Sequence, residues 1–257
     1  MFRIASWNVN SIRVRQQQVI AWLERQQPDV LALQETKIPD AEFPIEPFVE
    51  AGYQPLIAGQ KTYNGVALLS RHRLRDPVTE LPGMDDFQRR VLGARLENGL
   101  YVLDLYVPNG ASLDSDKYTY KLHWLRQLRE LTRTLLQEHP RLLLLGDFNI
   151  APQDRDVHDP AAWQGKVLVS DAEREALREL QALGLKDCFR LFEQAENSFS
   201  WWDYRAAGFQ RNRGLRIDLL LASADLAKSC RYCTVDTRPR GLEQPSDHAP
   251  VVAGFDL

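Results

Sequence analysis

The stretch Leu142-Leu143-Leu144-Leu145-Gly146-Asp147-Phe148-Asn149-Ile150 decides how the rest of the chain is interpreted. A short unbroken run of leucines is typical of a strand that is buried on both faces. The glycine lets the backbone turn, so that a carboxylate and a carboxamide emerge together at the end of the strand. An ordinary turn uses the same residue types. This stretch alone is therefore consistent with either a functional site or an ordinary turn.

Other apolar segments of the chain also adjoin polar side chains. These segments and their polar neighbours are Phe2–Trp7 with Asn8, Val30–Leu33 with Glu35, Leu219–Ala222 with Asp218, and Val251–Phe255 with Asp247 and His248. Taken singly, each polar residue fits a turn, a helix cap or a surface loop. Their joint occurrence instead indicates a set of hard oxygen ligands with one imidazole.

Oxygen ligands of this kind favour Mg²⁺ or Mn²⁺ over zinc. A magnesium ion usually takes one or two carboxylates and leaves its other positions to water and to substrate phosphate. A divalent ion beside an ionisable imidazole and several carboxylates predicts hydrolysis of a phosphate ester.

Six motifs, in order along nearly the whole chain, resemble those of the exonuclease III family of abasic-site DNA repair nucleases. The motifs are Trp7–Arg13, Leu33–Lys37, Tyr106–Gly110, Gly146–Ile150, Gly214–Asp218 and Ser246–Pro250. The segment Phe199–Arg205, followed by Asn212–Ser223, is most similar to the bacterial members. Ser11 departs from the family pattern, which often has glycine there, and Trp202 stands where phenylalanine is common.

The resemblance implies the fold of that superfamily, a four-layer α/β sandwich in which two stacked mixed β-sheets are flanked by helices. We expect a single domain over residues 1–257. Hydrophobic spacing predicts helices over Gln16–Gln27, Tyr120–Glu138 and Asp171–Leu183. Apolar runs predict further strands at Gly65–Leu69, Val91–Leu96, Leu100–Val107 and Leu142–Leu145.

The chemistry of hydrolysis and the resemblance together assign roles to the polar residues. We expect Glu35, with Asn8 beside it, to bind Mg²⁺, for which Mn²⁺ is a possible substitute. The resemblance implies that Asp147 activates or aligns the attacking water, and that Asn149 holds this water or the phosphate. For Asp247, binding the metal through water and assisting the leaving group both remain open.

The remaining polar residues are expected to act as donors. Asp218 would fix the tautomer of His248 and favour its charged form, so that the other ring nitrogen donates to phosphate. Tyr106 and Asn109 would add neutral donors to the same site.

Substrate choice is assigned to an apolar group and to nearby arginines. In the family, the neighbourhood of Trp201, Leu215 and Ile217 forms a small pocket for a flipped sugar that has lost its base. We expect Arg216 and Arg90 to contact DNA. The loop Ala151–Ser170 departs most from the family, and we expect it to tune exonuclease against endonuclease activity.

Composition limits the other possibilities. The chain has 257 residues and a formal net charge of −3, which is unusual for a nucleic-acid-binding protein. Positive charge gathers locally, however, at Arg89 with Arg90, Lys117 with Lys121, and Arg211 with Arg213 and Arg216. The three cysteines cannot form a disulfide framework, and Cys230-x-x-Cys233 is interpreted as structural. Without a signal segment or a bilayer-length apolar run, we expect a cytoplasmic monomer that makes no membrane contact.

The sequence therefore predicts a Mg²⁺-dependent DNA repair nuclease. It would cut the phosphodiester 5′ to abasic sites, degrade double-stranded DNA from 3′ to 5′, and trim blocked 3′ ends as a 3′-phosphatase or phosphodiesterase. Two alternatives remain: a phosphatase of the same superfamily for lipid or inositol phosphates, and a catalytically silent regulator that binds RNA or protein.

Overall fold

The computed structural model describes residues 1–257 and contains two six-stranded sheets and one two-stranded sheet. Numbered in chain order, the strands are β1 Phe2–Asn8, β2 Val30–Gln34, β3 Gln54–Ala58, β4 Val66–Ser70, β5 Leu74–Val78, β6 Val91–Leu96, β7 Tyr101–Tyr106, β8 Leu142–Asp147, β9 Leu185–Asp187, β10 Trp201–Trp202, β11 Gly214–Leu215, β12 Asp218–Ser223, β13 Cys230–Val235 and β14 Val251–Phe255. The first large sheet has the order β13-β14-β1-β2-β4-β3, and the second has the order β5-β6-β7-β8-β12-β9.

Six α-helices connect or flank these strands. They are α1 Ile12–Gln26, α2 Ile45–Glu50, α3 Asp116–Glu138, α4 Pro160–Trp163, α5 Asp171–Gln181 and α6 Ala224–Lys228. The hydroxyl of Ser115 caps α3 by accepting a hydrogen bond from Tyr118 N. Ser170 and Glu173 form a reciprocal capping box at the start of α5. Both caps lie next to loops that approach the polar end of the sheets.

The register of the second sheet aligns three predicted site residues. Strand β8 runs parallel to β7 and antiparallel to β12. Tyr106 is paired with Asp147, and Asp147 is paired with Asp218. Because paired residues sit side by side across a sheet, these side chains reach the same edge.

The first sheet brings its own polar strand end to the same place. β1 lies between β14 and β2, parallel to β2, and Asn8 is paired with Gln34. The hydroxyl of Ser246, in the segment that leads into β14, donates a 2.6 Å hydrogen bond to the carbonyl oxygen of Asn8. The N-terminal and C-terminal parts of the chain are thereby joined beside the site.

Three apolar clusters separate the layers. The largest, which includes Ile4, Ala32, Leu145 and Leu220, fills the space between the two large sheets. A second packs the outer face of β7, β8 and β12 against α3 and α5, and a third packs β1, β2 and β4 against α1 and α2. The predicted order of helices, sheet, sheet and helices is confirmed.

One glycine has a steric role at the end of β8. Gly146 has φ +143°, and a Cβ at this position would lie 1.9 Å from the carbonyl oxygen of Leu105. Only glycine allows β7 and β8 to approach so closely. Gly146 is therefore required for the strand end from which Asp147 projects.

The predicted helices and strands are present, with shifted ends. α1 begins at Ile12 rather than Gln16, and α3 begins at Asp116 rather than Tyr120. Short strands with mixed exposure, such as β3 and β5, were not predicted. All three cysteines are buried and none forms a disulfide. No helix is both long enough and apolar enough to cross a membrane.

Candidate active site

Three side chains that can bind a metal ion meet at one edge of the stacked sheets. Glu35 follows β2, Asp147 ends β8, and His248 lies just before β14, so both sheets contribute. One ligand atom from each residue lies within 4.8 Å of the other two. Residues from distant parts of the sequence therefore form one compact polar cluster.

Asp147 lies at the centre of the hydrogen bonds in this cluster. Its Oδ2 accepts hydrogen bonds from Nδ2 of Asn8 at 2.9 Å and from Nδ2 of Asn149 at 3.2 Å. Its Oδ1 accepts from the backbone N of Asn149 at 2.9 Å. The carboxylate is almost completely buried, so these bonds fix its orientation.

His248 lies between two carboxylates. Its Nδ1 is 2.9 Å from Oδ2 of Asp218, and its Nε2 is 3.6 Å from Oδ2 of Asp147. The indole of Trp7 donates to the backbone carbonyl of His248 at 3.2 Å and holds that segment in place. The predicted pairing of Asp218 with His248 agrees with this geometry.

The carboxylates determine the protonation of the imidazole. Burial lowers the pKa of His248, but the negative charges of Asp218 and Asp147 more than compensate and raise it to about 10. At neutral pH both ring nitrogens of His248 therefore carry protons.

The protonation of Asp147 is shifted as well. Burial raises the pKa of Asp147 to about 7, with the positive charge of His248 opposing this shift and the negative charge of Asp218 adding to it. A carboxylate that titrates near neutral pH is suited to accept a proton from water.

Asn8 lies inside the cluster with an orientation that differs from the prediction. Its Nδ2 donates to Glu35 and to Asp147, each at 2.9 Å. Its side-chain oxygen accepts from the backbone N of Asn10 at 3.0 Å. In this orientation the amide oxygen of Asn8 is turned away from the carboxylates, and the assignment of Asn8 as a metal ligand stays a prediction. Asn8 bridges the two carboxylates as a donor.

The donor set fits a divalent cation held by Glu35 and Asp147. Mg²⁺ prefers carboxylate oxygens to an imidazole nitrogen, so Glu35 and Asp147 are the members of this cluster that would hold it. One or two carboxylates, with water and phosphate in the other positions, is the usual environment of Mg²⁺. Glu35 has φ +52°, a left-handed conformation that is uncommon outside glycine, and its Oε2 lies 2.8 Å from Nζ of Lys37.

Neutral donors line the other side of the cluster. Nδ2 of Asn109 donates to the side-chain oxygen of Asn149 at 3.1 Å. Burial and the negative charges of Glu35 and Asp147 raise the pKa of Tyr106 well above its usual value, so its hydroxyl keeps its proton. The guanidinium carbon of Arg90 lies 4.7 Å from the centre of the Tyr106 ring. Tyr106, Asn109 and Arg90 therefore all lie at the predicted edge.

Asp247 is held beside the cluster by two residues. Its Oδ2 accepts from the indole of Trp201 and its Oδ1 from Nδ2 of Asn10, both at 3.0 Å. Burial acts to raise the pKa of Asp247, but the charge of His248 and these two hydrogen bonds lower it overall. Asp247 is therefore an ionised carboxylate next to His248.

The expected apolar pocket is filled by the chain itself. Leu215 and Ile217 are buried in a cluster with Val157, Leu168 and Val169 of the loop 151–170. Trp201 is only partly buried, and its ring meets that of Trp163 edge-on with centroids 6.4 Å apart. The structure brings the three predicted pocket residues together, but it buries two of them beneath the loop that departs from the family.

The expectation that Arg216 contacts DNA is wrong, because its side chain is 1% exposed. Its Nε donates to Asp156 at 2.7 Å and an Nη donates to Asp187 at 2.8 Å. Two buried carboxylates thus account for this charge, and the pairing ties the loop 151–170 to the second sheet. Arg211 and Arg213 remain exposed.

The expectation that Lys121 contributes positive charge to the surface is also wrong. Its side chain is 0% exposed and pairs with Glu173, whereas Lys117 on the same helix is exposed. Lys117 and Lys121 were expected to form one positively charged surface patch, but only Lys117 presents its charge to solvent.

Asn10 and Lys37 complete the site, although the sequence analysis assigned them no role. Nζ of Lys37 donates to Oδ1 of Asn10 at 2.6 Å, and Asn10 contacts Asp247. Both residues lie within motifs that resemble the family, so their position was the only signal available.

Comparisons with known proteins agree with this architecture. The model of the endonuclease/exonuclease/phosphatase family matches residues 5–248. The chain is 37% identical to exodeoxyribonuclease III of Haemophilus influenzae, over 98% of this chain and 99% of that protein.

Two solved structures superpose on the whole chain. One is a 3′ phosphatase, NExo, from Neisseria, determined with a product DNA hairpin, with a TM-score of 0.98 and 44% identity. The other is an AP endonuclease from Archaeoglobus fulgidus, with a TM-score of 0.96 and 38% identity. In both cases the match covers 100% of each chain.

Proposed function

Because this chain belongs to the endonuclease/exonuclease/phosphatase family, we propose that it is a Mg²⁺-dependent DNA repair nuclease. Its substrates are double-stranded DNA with 3′ ends or abasic sites. It removes nucleotides from 3′ to 5′, trims blocked 3′ ends, and cuts the phosphodiester 5′ to an abasic site. We expect it to act as a monomer. Mn²⁺ is a possible substitute for Mg²⁺.

The observation that carries this proposal is the meeting of Glu35, Asp147 and His248 within 4.8 Å at the shared edge of the sheets. Hydrolysis of a phosphodiester needs a base for water and positive charge or donors for the nonbridging oxygens. This cluster offers all of these within the span of one phosphate group.

Each residue of the cluster has a part in the mechanism. The Asp147 carboxylate accepts the proton of the attacking water, while the side-chain amide of Asn149 orients that water. The doubly protonated ring of His248 donates from Nε2 to a nonbridging oxygen, and Asp218 holds the ring through Nδ1. Tyr106 and Asn109 add neutral donors. When bound at Glu35 and Asp147, Mg²⁺ supplies positive charge against the phosphate.

One observation favours a blocked 3′ end over an abasic site as the substrate. Leu215 and Ile217 are buried in one apolar cluster with Val157, Leu168 and Val169, so a flipped abasic sugar would have to displace side chains of the loop 151–170. A terminal 3′ phosphate carries no sugar beyond its phosphorus, so its removal needs no such displacement. The similarity to the Neisseria 3′ phosphatase supports the same preference for a 3′ phosphate over an abasic site.

Neither alternative explains the site as well. A silent regulator has no need of a complete set of base, donor and metal-binding carboxylates, yet the chain keeps this set in contact. A phosphatase for lipid or inositol phosphates would share the cluster. It gives no reason for the full-length similarity to exodeoxyribonuclease III.

The proposal is tested with three labelled substrates, each incubated with EDTA or with Mg²⁺. They are a duplex with a recessed 3′ end, a duplex with a 3′ phosphate, and a duplex with one internal abasic analogue. We expect cleavage only with Mg²⁺, with faster removal of the 3′ phosphate than incision at the abasic site. Release of phosphate from an inositol phosphate without cleavage of any duplex would contradict the proposal.

A further inference from the structure

A buried ion pair lies directly behind the polar cluster. Lys121 of α3 and Glu173 of α5 are both 0% exposed, and Nζ of Lys121 lies 2.5 Å from Oε1 of Glu173. Burying two charges is costly unless each finds partners, and a well-packed apolar pair of similar size is often at least as stable. The contacts of this pair therefore point to a role beyond stability.

The lysine uses its other hydrogen bonds on two site segments. Nζ of Lys121 donates to the backbone carbonyl of Asn149 at 2.7 Å and to that of Asn109 at 3.1 Å. These are the two asparagines whose side chains are joined at 3.1 Å beside Asp147. One ammonium group thus holds together, from behind, the two loops whose amides face the substrate.

Glu173 connects Lys121 to the loop 151–170. Oε1 of Glu173 accepts from Leu168 N at 3.0 Å, and Oε2 accepts from Ser170 N at 3.0 Å. Leu168 has φ +74°, a strained conformation for a leucine, and it belongs to the same buried apolar cluster as Leu215 and Ile217. The ion pair therefore links the filled pocket to Asn149.

We propose that Lys121, neutralised by Glu173, is a positioning residue that sets the placement of Asn149 and Asn109 for catalysis. This inference rests on the proposed nuclease function. Lys121 touches no reacting atom, because it lies behind the backbone of both asparagines. Its effect passes through their carbonyl groups, and a small displacement of the Asn149 amide reduces its ability to orient water.

The test is a double-mutant cycle on a duplex with a recessed 3′ end and Mg²⁺. It compares the wild type, Lys121→Met, Asn149→Ala and the double variant. We expect Lys121→Met to lower kcat about 10- to 100-fold while KM changes less than about 3-fold. In the Asn149→Ala background, the same change should lower kcat less than about 3-fold, because the amide that orients the water is already gone and only Asn109 is left to be displaced.

A matched control lies on the same helix. Thr132 is 0% exposed on α3, and its hydroxyl has no hydrogen-bond partner. Thr132→Val therefore perturbs the interior of α3 without touching the asparagines, and kcat should stay near the wild-type value.

The outcomes separate the two proposals. If Lys121→Met lowers kcat by the same factor in both backgrounds, or acts on KM alone, Lys121 is a structural residue and the inference fails. If the wild type cleaves no duplex, the proposed function fails instead. Should Lys121→Met lose cooperative thermal unfolding, Lys121→Met combined with Glu173→Gln removes both buried charges, and the cycle is repeated with that pair.

Discussion

The polar cluster and the apolar pocket are adjacent, but they are prepared for substrate to different degrees. At the cluster, Asp147 and His248 are already fixed by short hydrogen bonds to neighbouring side chains. At the pocket, Leu215 and Ile217 are covered by the chain's own loop. The catalytic groups therefore need little rearrangement, whereas entry of a flipped sugar requires one.

This difference indicates how one fold can keep its chemistry and change its substrate. Asp147 and Asp218 lie at the paired ends of β8 and β12, and hydrogen bonds from neighbouring residues fix Asp147 and His248 beside them. The residues proposed to select the sugar, Leu215 and Ile217, are instead buried in a cluster with residues of the loop 151–170, which lies outside the strands that carry Asp147 and Asp218. Variants at the two regions should thus have separable effects.

The largest effect is expected at the polar cluster. Asp147→Asn keeps the shape of the side chain but removes the base and one of the two carboxylates of the cation site, so single-turnover cleavage of a recessed 3′ end should fall about 10²- to 10⁴-fold. Thermal unfolding of the variant should remain cooperative. Asp225→Asn, at an exposed carboxylate on α6, is the matched control. Retention of full cleavage by a folded Asp147→Asn protein would refute the role of this residue.

The second-largest effect is expected on the free energy of unfolding, at Arg216, which ties the loop 151–170 to the second sheet. Arg216→Met takes one guanidinium away from the buried carboxylates Asp156 and Asp187. We expect a loss of about 3 kcal/mol, measured by chemical denaturation. Arg211→Met, at an exposed position, should change stability by less than about 0.5 kcal/mol. Equal losses for the two variants would show that the buried charges do not anchor the loop.

A smaller effect concerns the charge of His248, measured in metal-free protein. The raised pKa of about 10 means that the paired imidazolium adds stability that is complete below the unfolded value of about 6.5 and is lost as pH rises through about 10. NMR of the labelled imidazole should show both ring protons retained at pH 8. Asp218→Asn should lower this pKa by at least about one unit. Titration of the wild-type ring near 6.5 would contradict the assigned pairing.

The smallest effect is expected from opening the pocket. Leu168→Ala shortens a side chain of the apolar cluster that buries Leu215 and Ile217, so the rate of abasic incision relative to removal of a 3′ phosphate should rise about 3- to 10-fold. Leu177→Ala, in the separate core cluster under α5, controls for the general cost of a buried cavity. If both variants leave the ratio unchanged, the loop does not restrict access to the pocket.

Strand-end residues could be predicted from the sequence for a physical reason. A buried strand is an apolar run in the sequence, and a polar residue at either end of the run is expected at the edge of the sheet. Asp147 and Asp218 were identified in this way, and their pairing in neighbouring strands places them side by side. The same logic located Glu35, although its left-handed backbone had no signal in the sequence.

Other features could not be predicted, because they depend on which way a side chain turns. The sequence identified Asn8 but not that its amide nitrogen, rather than its oxygen, would face the carboxylates. Arg216 and Lys121 looked like surface charges, since the partners that bury them lie far along the chain. Closure of the pocket depends on packing within the loop 151–170, which has no periodic pattern to interpret.

The central claim is that Glu35 and Asp147 hold a divalent cation against the phosphate at this edge of the sheets. The most direct test measures cleavage of a recessed 3′ end as a function of Mg²⁺ concentration, for the wild type and for Glu35→Gln. We expect no cleavage in EDTA, full recovery with Mg²⁺, and a half-maximal Mg²⁺ concentration at least about 10-fold higher for Glu35→Gln. Full cleavage in EDTA, or the same Mg²⁺ dependence for both proteins, would contradict the claim.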